Sequence, residues 1–140
     1  MAQGRKGREA AVQVLYQAED AQGALPADAA EALERFFAHF EHDEQGREDA
    51  RAIVNGVCAQ QARLDDLIQR HSKNWKLSRM AKVDRNVLRL ATWELLAREA
   101  LPTKVVLNEA IELGKKFGSE TSSAFINGVL DPVAREVRKP

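Results

Sequence analysis

Apolar residues recur along this chain at three- and four-residue steps. No stretch alternates strictly between apolar and polar positions, so the pattern predicts helices from end to end. The first helix is expected from about Arg5 to Asp20, with Val12, Leu15 and Tyr16 on one face. Pro26 suits the first turn of a second helix, whose stripe is Ala29, Ala30, Leu33, Phe36, Phe37 and Phe40. Beyond Gly46 one long helix is expected to carry Ile53, Val54, Val57, Leu64, Leu67 and Ile68.

His71 to Lys76 reads as a connector, and Ser78 as the N-cap of a helix running from about Arg79 to Arg98. That helix is apolar on more than one side, through Val83, Val87, Leu88, Leu90, Trp93 and Leu95, so it belongs at the centre. Leu101-Pro102 ends it. Thr103 then caps a helix with Val106, Ala110, Leu113 and Phe117 on one stripe, stopped by Gly118. A last helix carries Phe125, Ile126, Val129, Leu130, Val133 and Val137, with Pro132 kinking or splitting it. The expected fold is all-α, a compact bundle of about six or seven helices formed by residues 1–140 as a single domain.

Composition narrows the function. The chain has 140 residues, 44% hydrophobic and 30% charged, which is too apolar for disorder and short enough for one domain. Cys58 is the single cysteine, so neither an intrachain disulfide nor a thiolate metal site is expected. The basic start is not followed by a signal-peptide core, and no uncharged apolar run approaches the ~18 residues of a membrane span. The expectation is a cytoplasmic protein with no membrane association.

Catalytic chemistry finds no foothold. His39 and His42 lie near Asp43, but no third histidine is close enough in sequence to complete a metal site. Gly4 and Gly7 precede a helix with no strand before them, unlike a phosphate-cradling loop. Ser119, Thr121, Ser122 and Ser123 have no histidine nearby, and Cys58 sits among Val54, Val57 and Ala62 as a small hydrophobe would. The sequence is expected to use no metal or cofactor and to be no enzyme.

Charge is balanced in total, 21 bases against 21 acids, which excludes a bulk polycation. The balance is a sum over opposed regions. Leu25 to Ala50 holds eight acids against two bases, whereas Arg63 to Arg98 holds nine bases against four acids. Arg5, Lys6 and Arg8 open the first helix, where backbone N–H groups already favour an anion; the alternative is a solubilising basic tail. Lys73, Lys76, Arg79, Lys82 and Arg85 form a second run, either a solvated face or a docking surface for an acidic partner or phosphates. Tyr16 and Phe125 either pack in the core or stack on unpaired bases near those cations.

Four stretches taken together resemble the NusB transcription antitermination family. They are Arg8-Glu9-Ala10-Ala11-Val12-Gln13-Val14-Leu15-Tyr16, the run Val83 to Ala91, the run Asn108 to Gly118, and Phe125-Ile126-Asn127-Gly128-Val129-Leu130-Asp131. The resemblance covers essentially the whole chain. It implies two packed helical subdomains and a non-enzymatic factor that binds the boxA element of nascent ribosomal RNA together with NusE, a small-subunit ribosomal protein, within the antitermination complex of RNA polymerase. It places RNA at Arg5, Lys6, Arg8 and Phe125, and the protein partner at Arg79, Lys82, Asp84 and Arg85; Tyr16, two turns beyond Arg8 on the first helix, is added to the RNA set from its position at the edge of the same surface. The alternative is a helical protein-docking adaptor without sequence-specific RNA binding. Alanine at Arg5, Lys6 and Arg8 together is expected to weaken RNA binding and leave thermal stability nearly unchanged. Asn108, Glu109 and Asn127 are expected to bond inside the fold.

Overall fold

The computed structural model describes residues 4–138, and every regular element among them is helical. The order is α1 (Arg5–Ala18), α2 (Ala30–His39), α3 (Glu44–Ala59), α4 (Gln61–Arg70), a 3-10 turn Leu77–Arg79, α5 (Lys82–Ala97), α6 (Thr103–Phe117) and α7 (Ser122–Val137). Helix α5 touches α1, α3, α4, α6 and α7. Twelve of its residues are buried, from Asp84 to Leu95, as its broad apolar surface requires. Helices α1, α2 and α3 group on one side of it, and α6 and α7 pair on the other.

Several boundaries differ from the sequence pattern, each for a local reason. Asp28 accepts from the Ala30 N–H at 2.9 Å and starts α2, leaving Pro26 in the preceding loop. The α2 stripe ends before Phe40, which caps the helix 49% exposed and stacks on Phe36 with ring centres 4.7 Å apart. Asp43, not Gly46, opens α3 by accepting from the Gly46 N–H at 2.8 Å. Ser78 lies inside the 3-10 turn, and α5 begins four residues later at Lys82. Thr103 occupies the first turn of α6 behind Pro102.

The long helix expected after Gly46 is two. It breaks at Gln60, although neither glycine nor proline stands there and the apolar phase runs on from Val57 to Leu64. Helix α3 packs on α1 and α5, while α4 turns toward α5 and α7, so packing sets the break. By contrast α7 remains one helix through Pro132. The carbonyl that loses its donor there belongs to Gly128, an exposed residue that water reaches.

Two close approaches fix α1 and α5 against α3. A Cβ at Gly7 would stand 2.5 Å from the Asp49 Cβ, and one at Gly56 would stand 2.2 Å from the Trp93 indole. Only hydrogen fits at either place. Helix α5 ends under Arg138, whose guanidinium donates to the carbonyls of Leu95 at 3.0 Å and Arg98 at 2.9 Å. Cys58 is buried, and burial pushes its thiol pKa up. Thiolate is the reactive form, so at pH 8 the folded chain should alkylate at least about tenfold more slowly than the chain unfolded in guanidinium. Equal rates in the two states would refute this.

Candidate nucleic-acid interface

Helix α1 begins at Gly4, whose φ of 85° is a left-handed conformation that glycine adopts without strain. The next four residues then point in four directions. Arg5 lies at the edge of α6 and donates to Glu109 twice, Nε to Oε1 at 3.1 Å and Nη2 to Oε2 at 2.8 Å, with 41% of its side chain still exposed. That hydrogen bond is the main reason its guanidinium is held protonated above its ordinary pKa. Lys6 faces outward and makes no ion pair among the described residues. Gly7 presses on α3.

Arg8 turns inward. It is 2% exposed, donates to Glu94 at 2.9 Å, and lies 3.8 Å from Glu109. Glu94 is itself 1% exposed and also accepts from Arg98 at 3.0 Å. The basic cluster therefore divides into two exposed cations and one buried cation that joins α1 to α5 and α6. This corrects the expectation that all three could be removed without a stability loss.

Tyr16 sits about two turns beyond Arg8 on α1, 44% exposed, with the Lys82 ammonium 4.5 Å over its ring. Val12, Gln13, Gln17, Val83 and Phe117 complete a shallow groove of about 270 Å³ around it. The residues expected for RNA and for a protein partner thus adjoin at Tyr16 and Lys82. The partner set divides as the basic cluster does. Arg79 is exposed and Lys82 half-buried, whereas Asp84 and Arg85 are interior residues. Arg85 donates to both oxygens of Glu19, at 2.6 and 2.7 Å. Glu19 also accepts from Arg89 at 2.9 Å, and Arg89 reaches Asp65 at 2.8 Å.

Phe125, near the start of α7, is half-buried and meets Trp75 edge to face, ring centres 6.2 Å apart. No ring contact joins it to Tyr16 among the described residues. Glu109 bonds in the interior as expected, but Asn108 and Asn127 lie at the surface, because they fall on the outer faces of α6 and α7. The sequence pattern missed Glu19, Glu94 and Trp75. Glu94 had a signal, an acid inside the apolar run Leu90 to Leu96. So did Trp75, a large aromatic in the polar stretch His71 to Lys76.

No group of three or more His, Cys, Asp or Glu among the described residues is arranged to hold a metal ion. No helix of the described residues is long and apolar enough to cross a membrane. The NusB family model matches residues 5–135. The transcription antitermination protein NusB of Myxococcus xanthus is 50% identical over 140 residues, covering 97% of each chain. NusB of T. maritima superposes with a TM-score of 0.83 at 40% identity, over 96% of this chain and 92% of that one. A structure of the antitermination factors NusB and NusE in complex with double-stranded RNA aligns with a TM-score of 0.83 at 27% identity, over 97% of this chain and 99% of that one.

Proposed function

The chain belongs to the NusB family, and from that premise we propose that it is a non-enzymatic transcription antitermination factor of the cytoplasm, acting as a single domain. In this reading it binds boxA-type single-stranded RNA together with NusE and delivers both to the antitermination complex of RNA polymerase. The observation that carries the reading is the likeness to the M. xanthus antitermination protein along almost the full length of both chains. The geometry supports it by leaving Arg5 and Lys6 accessible at the positive end of α1, where phosphates find cations and helix N–H groups together.

Tyr16 and Phe125 supply exposed and half-exposed ring surface for bases. Arg79 and Lys82 face the protein partner directly. Arg8 and Arg85 act from inside, by holding α1 and α5 in place, whereas Asp84 is buried with its Oδ1 making no hydrogen bond among the described residues. Few phosphate contacts by a chain of zero net charge make RNA binding weak alone and tighter with the partner, through linkage.

The test is binding of boxA RNA against a scrambled RNA of equal length, with and without NusE, across a salt series. Equal affinity for both RNAs at every salt concentration would sink the reading in favour of a protein-docking adaptor. Within that experiment, alanine at both Arg5 and Lys6 should lower the salt slope by up to about 1.4, at ~0.7 for each phosphate of single-stranded RNA left without its cation. Melting should shift little, because Arg5 is partly exposed and Glu109 keeps Arg8 within 3.8 Å. An unchanged slope would remove these two residues from the interface.

A further inference from the structure

Trp75 is the most exposed large hydrophobic residue described, at 58%, and neither the fold nor the residues discussed above account for it. It lies in the connector between α4 and the 3-10 turn, but the connector is not loose. The Trp75 N–H donates to the Ser72 carbonyl at 2.9 Å, and Ser72 Oγ donates to the Ile68 carbonyl at 2.9 Å. Gln69 grips the same connector from the end of α4. Its Nε2 donates to the Trp75 carbonyl at 2.9 Å and its Oε1 accepts from the Leu77 N–H at 2.8 Å. These bonds fix the backbone that carries the indole, and the ring itself rests on Phe125, so less ordering cost remains for binding.

The ring's surroundings select the ligand. Its plane stands at 85° to that of Phe125, so the two rings form a corner in which a flat group stacks on one and meets the edge of the other. Lys73 and Lys76 neighbour it only in sequence, since both line a separate groove with Gly23 and Asp65. An exposed ring continuous with Phe125 of the proposed RNA surface suits an unpaired nucleobase, since every base has a stacking face. An acidic peptide would leave the indole face without an aromatic counterpart.

We propose that Trp75 and Phe125 together form a base-stacking corner that takes an unpaired nucleotide of the bound RNA. The inference rests on the RNA-binding reading and adds a residue to it.

The test uses the full-length chain with NusE and a boxA-containing single-stranded RNA. Trp75 is exposed and Trp93 buried, so acrylamide quenching of tryptophan fluorescence reports chiefly on Trp75. RNA should shield it. Trp75→Ala should weaken RNA binding on the order of tenfold, Trp75→Phe should keep most of the affinity, and both should melt with the parent. If the RNA binds with the Arg5 and Lys6 dependence above, yet Trp75→Ala binds equally well and Trp75 stays open to acrylamide, the corner is refuted and the wider reading stands. If the parent complex shows no preference for boxA RNA, the wider reading fails and this inference with it. Shielding by NusE alone, without RNA, would overturn the proposal and give Trp75 to the protein contact.

Discussion

Glu19→Ala should cost about 3–5 kcal/mol of stability, because it strands two buried guanidinium groups at once. Glu19 has no exposed side-chain surface and accepts from Arg85 and Arg89, whose side chains are 8% and 1% exposed. Arg89 would keep Asp65 as a partner, but Arg85 would retain only the carbonyls of Leu77 and Met80, each at 3.0 Å. Neutral carbonyls do not balance a buried cation. A domain of this size has ~5–15 kcal/mol to lose, so the midpoint of thermal unfolding should fall by roughly 10 °C or more. Glu19→Gln, which keeps the acceptor and loses the charge, should fall in between. A Glu19→Ala variant melting within a few degrees of the parent would show that the network carries little stability.

Arg8→Ala should behave in the same way for a different reason, at about 3 kcal/mol. It removes a cation 2% exposed and leaves the interior carboxylates Glu94 and Glu109 in a less compensated site. Each has a second partner, Arg98 and Arg5 respectively, which places the loss at the lower end of the range for breaking buried pairs. Arg5 and Lys6 provide the contrast. Those two should alter RNA binding with little change in melting, whereas Arg8 should alter melting first. Calorimetry of the three single variants separates them, and equal melting for all three would refute an interior role for Arg8.

The helical class and the central place of α5 were legible in the periodicity, because burial on several sides writes a broad apolar surface into the sequence. The basic start of α1 was legible as a cluster, but not its division. Arg5, Lys6 and Arg8 look alike in sequence, and what separates them is the direction each leaves the helix relative to Glu109 and Glu94, about a hundred residues away. The break at Gln60 was invisible for a related reason. The phase of Val54, Val57, Leu64 and Leu67 suits one straight helix, and only competition between neighbours for the two halves bends it. Caps were misplaced where short polar residues stood close together, as at Asp43 and Gly46, since either suits a helix start and the hydrogen bond decides.

The ion pairs of α1 also bear on how the chain is made. Glu19 finds its partners 66 and 70 positions later, Arg8 finds Glu94 86 positions later, and Arg5 finds Glu109 104 positions later. At ~5–20 residues per second, a ribosome takes roughly 4–17 s to supply Glu94 after Arg8. During that interval α1 can pack on α3, but Arg8 and Glu19 lack their ion-pair partners. Helix α1 can dock on α3 early, while its buried ion pairs close only once α5 and α6 have emerged.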